Sequence, residues 1–205
     1  MTISKHARNN TITPEMKLVS ECENVSAEFV RAGVAAGTIV IPKNNKRSLK
    51  KLCGVGQGLK TKVNANLGTS PDHVSIEEEM IKLDAAVRAG ADAVMDLSTG
   101  GDLKKIRRAI LDNSPVPLGT VPIYQAACET RAKGKPITEI SADHLFDVIE
   151  EQLSEGVDFL TVHCGITRET VTILDRQNRL VGVVSRGGAQ MVRWIKANGK
   201  ENPLY

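Results

Sequence analysis

Ala89-Gly90-Ala91-Asp92-Ala93-Val94 returns 66 positions later as Glu155-Gly156-Val157-Asp158-Phe159-Leu160. Each copy reads as a helix end, a glycine, a small apolar residue, an aspartate and the first residues of a strand. A β–α unit takes roughly 33 residues, so the interval holds two of them. The apolar run Gly119–Tyr124 falls between the copies and keeps the period. Strands alternating with helices at this spacing build a parallel sheet. The right-handed crossover rule then leaves a closed barrel or a doubly wound sheet.

Working outward, strands are expected at about 61–68, 93–98, 119–125, 159–164 and 180–185. Ser75 with Glu78 three positions on is a capping box, since each side chain satisfies a free N–H of the other's backbone. Ile76, Met80, Leu83 and Val87 then recur at helical spacing, and Gly90 closes that helix in the left-handed conformation. Further helices are expected at about 102–112, 141–155 and 188–198. Polar residues end or follow each apolar run: Asn64 and Asn66, Asp96 and Ser98, Tyr124 and Gln125, His163, and Ser185 with Arg186. A site gathered from the ends of many strands belongs to a TIM-type (β/α)8 barrel, whereas a doubly wound sheet concentrates polar groups at one switch point. The reading is α/β with a TIM-type barrel of which about five of eight βα units are present. Such a chain is part of a longer one, or two copies complete each other.

The first sixty residues look different. No acid stands between Glu28 and Asp72, while Arg31, Lys43, Lys46, Arg47, Lys50, Lys51, Lys60 and Lys62 all do. Pro42, Asn44, Asn45, Gly54, Gly56 and Gly58 add turn chemistry. Residues 1–60 therefore read as an irregular arm or lid and 61–205 as the partial barrel, its substrate-binding half. The 205 residues carry a net charge of +3 and are 41% hydrophobic, a globular balance. No apolar run is long enough for a membrane helix, and the N-terminus lacks the apolar centre of a signal peptide. A soluble cytoplasmic protein is expected, with no membrane partner. Six aromatic residues argue against stacking on single-stranded nucleic acid. Cys22, Cys53, Cys128 and Cys164 stand far apart, without metal-site or cluster spacing, and read as small buried hydrophobes.

Ser185-Arg186-Gly187-Gly188, between an apolar run and an amphipathic helix, has the pattern of a phosphate cradle: backbone N–H groups at a helix start, glycines without Cβ, and an arginine fork. A plain glycine-rich turn with a solvated arginine is the alternative. Ser98-Thr99-Gly100-Gly101-Asp102 repeats the device, or uses Asp102 simply as a helix cap. His163 after Phe-Leu-Thr-Val can donate to a substrate oxygen or shuttle a proton, or bond to backbone in a core. Met95 reads as a core thioether on its own. His6, His73 and His144 carry no assigned role.

Six segments taken together resemble the phosphomethylpyrimidine synthase family of thiamine biosynthesis: Ile12–Met16, Lys62–Ser70, Val94–Gly101, Gly119–Gln125, Val184–Gly188 and Lys200–Tyr205. The resemblance runs from about residue 6 to the last. It implies a radical S-adenosylmethionine enzyme on a (β/α)8 barrel. Such an enzyme converts aminoimidazole ribotide to hydroxymethylpyrimidine phosphate. It further implies substrate contacts at Asn66, Met95, Tyr124, His163, Ser185, Arg186 and Gly187. A [4Fe-4S] cluster, S-adenosylmethionine and zinc are implied as cofactors, but their ligands lie in family segments that this sequence does not contain, so no catalytic or metal residue is assigned here. The family form is a homodimer, and that state is expected. The related hydroxybenzimidazole synthases, acting on the same ribotide, are the nearest alternative. A non-catalytic binding or assembly protein using the basic 31–62 segment is a further one, with salt-dependent nucleic-acid binding as its signature.

Overall fold

The computed structural model describes residues 1–177 and 179–205. Three helices open the chain: α1 (Ile3–Arg8), α2 (Pro14–Glu23) and α3 (Ala27–Ala36). Each begins on a hydroxyl cap, Thr2, Thr13 and Ser26 accepting the amides of Lys5, Met16 and Phe29. α2 has Pro14 in its first turn, where the missing N–H costs nothing. A short antiparallel pair follows, β1 (Ile39–Val40) with β2 (Val55–Gly56). Together these elements bury Met16, Val19, Val30, Val34, Ile39 and Leu52 in a cluster of their own.

The expected irregular arm is thus corrected. Its first 36 residues are mostly helical, and turn chemistry governs only the stretch after β1. The missing acids also find an explanation, because most of the cations there reach carboxylates elsewhere in the chain. Lys43 pairs with Glu15 at 2.7 Å, Lys62 with Glu23 at 2.7 Å, Lys51 with Asp92 at 4.0 Å, Arg31 with Glu28, and Arg47 with Asp158.

The main sheet has four parallel strands in chain order, β3 (Asn64–Leu67), β4 (Ala93–Asp96), β5 (Leu118–Thr120) and β6 (Phe159–Leu160). Between and after them run α4 (Ile76–Arg88), α5 (Leu103–Asn113), α6 (Pro122–Ala132), α7 (Ala142–Glu155), α8 (Arg168–Arg176) and α9 (Arg186–Asn198). Leu67, Val94 and Leu118 of the sheet meet Leu83, Ile106 and Ile110 of α4 and α5 in one buried cluster. Ile123, Leu145, Val148, Met191 and Ile195 bring α6, α7 and α9 together in another.

The repeated motif has a structural cause. Gly90 and Gly156 both take positive φ, 93° and 115°, where a side chain would be strained. Asp92 then accepts the amide of Val63 at 2.9 Å, just before β3, and Asp158 accepts that of Leu118 at 2.8 Å, the first residue of β5. In both copies the aspartate binds the backbone at the head of the preceding strand in the sheet.

Four of the five expected strands form, all shorter than expected. The one at 119–125 stops at Thr120, because Pro122 starts α6 and carries Tyr124 and Gln125 into a helix. No strand forms at 180–185. An apolar run becomes a strand only beside a pairing partner, and among the described residues Leu180, Val181 and Val184 have none and stand exposed. Helices α6 and α8 lie outside the expected set; α8 is announced by the Thr167–Thr170 capping box.

Candidate functional site

Strand register aligns Asn66 with Met95, Met95 with Gly119, and Gly119 with Phe159. Side chains alternate along a strand, so this row shares one face, opposite the face that Leu67, Val94 and Leu118 bury beneath α4 and α5. The Phe159 ring lies over Gly119, where a Cβ would come within 2.2 Å of it. Thr161 donates its hydroxyl to the Met95 sulfur at 3.8 Å, and Asn64 donates to the Asn66 side-chain oxygen at 3.1 Å.

Past the strand ends, the loop after β3 fastens onto the loop after β4. Thr69 donates its amide to Ser98 Oγ at 3.1 Å and its hydroxyl to the Gly100 carbonyl at 2.7 Å. Gly68 donates its amide to Glu79 at 2.7 Å, and the other oxygen of that buried carboxylate takes the Lys82 ammonium at 2.5 Å. Gly68 and Gly100 are glycines because of this close approach: a Cβ would fall 2.6 Å from the Ser98 nitrogen or 2.3 Å from the Ser70 oxygen. Asp102 caps α5 through the amide of Lys105 at 3.0 Å. The Ser98–Asp102 segment therefore behaves as loop packing and helix cap. Asp96, buried at the end of β4, has its carboxyl pushed up by burial against the lowering pull of Ser98.

These loops wall an open cleft of about 550 Å³, within the range of small-molecule sites. Asn66, Ser70, Lys82, Thr99, Tyr124 and Arg186 line it. Tyr124 sits on the first turn of α6, and the Arg186 guanidinium lies 5.3 Å from its ring centroid, a cation–π distance. Arg186 begins α9. Ser185 caps that helix, accepting the Gly188 amide at 3.2 Å, and its Oγ is also 3.2 Å from His163 Nε2. Gly187 packs flat on the imidazole, so that a Cβ there would stand 2.2 Å from Cε1. Burial lowers the His163 pKa, which keeps the imidazole neutral at physiological pH.

The structure sends Gln125 into a buried network with Arg107 and Gln152, away from the cleft, but draws the residues implied by the resemblance near one another. Asn66, Tyr124 and Arg186 face one cleft; His163, Ser185 and Gly187 meet beside it; Met95 is next to Asn66 in the sheet. Sequence reasoning passed over Thr161, which orders Met95, and Lys82. The Glu79–Lys82 spacing on α4 shows a helical ion pair, but nothing local in the sequence aims it at the cleft.

The cysteines do not form a metal site. Cys53 is buried and its thiol is pushed up to about 11, chiefly by burial. Cys128 is raised for the same reason, with its Sγ 3.4 Å from the Thr99 carbonyl. Cys22 and Cys164 are exposed, and all four are free. Among the described residues no three His, Cys, Asp or Glu side chains converge as metal ligands.

The chain matches the family model described as the radical SAM ThiC family over residues 2–205. It is 52% identical over 205 residues to the phosphomethylpyrimidine synthase of Syntrophus aciditrophicus, covering all of this chain and 48% of that protein. It is 54% identical over 206 residues to that of Thermus thermophilus, covering all of this chain and 47% of the relative. The Dehalococcoides mccartyi enzyme is 51% identical with the same pattern of coverage, 100% and 48%. The chain spans about half the length of these curated relatives.

Proposed function

The chain belongs to the radical SAM ThiC family, and we propose that it supplies the ribotide-binding part of a phosphomethylpyrimidine synthase. In this reading aminoimidazole ribotide lies in the cleft between the β3 and β4 loops and the start of α9. The observation that carries the reading is the convergence of Arg186, Tyr124 and Asn66 on one cleft, with His163 held against Ser185 and Gly187 beside it. The ligand's phosphate suits Arg186 and the free backbone donors of an α-helix start. Its ribose hydroxyls and aminoimidazole suit the amide of Asn66, the phenol of Tyr124 and the neutral His163, which offers one donor and one acceptor. Met95 would set the apolar floor beside the imidazole.

The order of β3 to β6, without reversal, supports the reading of this sheet as part of a (β/α)8 barrel, because a doubly wound sheet reverses at its switch point. On that reading the row from Asn66 to Phe159 faces the barrel interior. Membership of the family implies S-adenosylmethionine and an iron–sulfur cluster. The side chains here do not fit the cluster, since burial raises two of the four thiols and no ligand group converges among the described residues. Zinc likewise finds no ligand group among the described residues. The part derived for this chain is therefore binding and orientation of the ribotide, and no radical step is drawn through it.

Titration calorimetry of the folded chain with aminoimidazole ribotide tests the reading. Binding is expected, and Arg186→Ala should weaken it about 10- to 100-fold, the effect of losing a hydrogen bond to a charged group. No binding by the native chain, or an Arg186→Ala affinity equal to that of the native chain, would overturn it.

A further inference from the structure

None of Lys200–Tyr205 lines the cleft, yet one side chain of this segment is almost fully buried. Asn202 is 3% exposed. Its Nδ2 donates to two carbonyls, that of His163 at 2.8 Å and that of Ile166 at 2.9 Å. Its Oδ1 accepts the Leu204 amide at 3.0 Å. The neighbouring Glu201 carboxylate accepts the Asn202 amide at 2.8 Å and, with the same oxygen, the Arg168 amide at 3.0 Å. Residues 161–167 form the loop between β6 and α8, and the bond from the Thr161 amide to the Thr120 carbonyl is the last that ties it to β5. The loop's backbone carbonyls are thus gathered by a residue 39 positions away in sequence.

We propose that Asn202 is a positioning residue that fixes the His163 backbone, so that the imidazole is delivered onto Ser185 and Gly187 at the edge of the cleft. The chemistry requires an amide. Both loop partners are acceptors, and an amide NH2 carries two donors, whereas a carboxylate of the same shape presents only oxygens to them. With the carbonyl held from one side and the ring seated on Gly187 and Ser185 from the other, His163 has both ends constrained. Its Nδ1 is buried and has no hydrogen-bond partner among the described residues. Burial lowers its pKa, which gives the arrangement a spectroscopic signature.

The test is NMR titration of the imidazole resonances in the isotope-labelled chain and its Asn202→Ala and Asn202→Asp variants. Trp194 fluorescence and circular dichroism check the fold. In both variants the His163 pKa should rise toward the ordinary 6.5 as the ring loosens into water. Affinity for aminoimidazole ribotide should fall about tenfold or more. An unmoved His163 titration in a folded variant would overturn the positioning role, leaving Asn202 as a stabilising side chain only. Should neither variant fold, Glu201→Ala tests the same clamp from its exposed half: a smaller rise at His163 supports the role, and none overturns it. Only the affinity measurement rests on the ribotide reading. If the native chain binds no ribotide but the variants still shift His163, the proposed ligand fails and the positioning role stands.

Discussion

A methyl group at position 187 has nowhere to go. The Cβ would stand 2.2 Å from the His163 ring, inside any real contact distance, and φ at this glycine is ordinary, so closeness and not conformation requires it. Gly187→Ala must therefore push the imidazole off the start of α9. Ribotide binding should be lost, while overpacking at a partly open site should cost about 1–3 kcal/mol of stability. Urea unfolding reads the second effect, and its pH dependence identifies the cause. In the native fold the His163 pKa lies below its unfolded value. The unfolded state then binds more protons as pH falls through about 6.5, so this group removes stability there until its folded pKa is passed. Releasing the ring from burial abolishes that contribution, and the variant should lose less stability between pH 7.5 and 5 than the native chain. An equal loss in both would show that the ring had not moved.

Between one loop and the next, the two aspartates of the repeat perform the same task at different depths. Asp92 is partly exposed and accepts one backbone amide, with Lys51 4.0 Å away. Asp158 has no exposed side-chain surface; it takes the amides of Asn44 and Leu118, both at 2.8 Å, and the Arg47 guanidinium. Arg47 in turn donates to the Leu111 and Ser114 carbonyls at 3.0 and 2.7 Å. This ties the segment after β1 to α5, β5 and the turn before β6. Removing one partner of a buried pair strands the other, so Arg47→Ala should cost about 3–5 kcal/mol, against about 1 kcal/mol for Asp92→Asn. Chemical denaturation of the two variants measures the difference, and comparable losses would contradict the contrast in burial. The repeat that announced the strand order was readable because its glycine and aspartate stand at a fixed local spacing before each strand, although the amides those aspartates take lie 29 and 40 positions away. The helix caps at Ser75 and Asp102 were readable because a cap lies within a few residues of the amide it accepts. What escaped depended on partners distant in sequence. The charge imbalance of 31–62 looked like an open arm because Glu15, Glu23 and Asp158 lie outside it. Likewise, the Arg186–Tyr124 stacking joins residues that only the sheet brings together. The site residues themselves were chosen partly by resemblance, and Met95 wholly so; its place beside Asn66 is a fact of register, invisible without the sheet.

Across the molecule, the sheet ends at strands that no other described strand covers. β6 pairs only with β5, and β3 only with β4, so each presents a row of backbone groups on its outer side. The face carrying Asn66 and Met95 lies away from α4 and α5, and Leu180, Val181 and Val184 stand in water just before α9. Leu180 is wholly exposed and Val184 79% exposed. Free strand edges beside exposed β-branched residues are a template for pairing with another chain, and closure into a barrel is the arrangement that removes them. We therefore predict self-association of the 205-residue chain through these edges, driven by apolar surface and hence strengthened by added sulfate. Light scattering on the purified chain should give a mass of at least two copies that grows with concentration. Leu180→Lys with Val184→Lys should shift it toward the monomer, because like charges on facing edges repel and lysine is poorly placed in a buried strand contact. A native chain that remains a clean monomer at high concentration would mean that the 179–184 segment shields the edges in solution. A mass unchanged by the double substitution would move the contact elsewhere, with the N-terminal helices and their Val40 and Val55 strand pair as the next surface to alter.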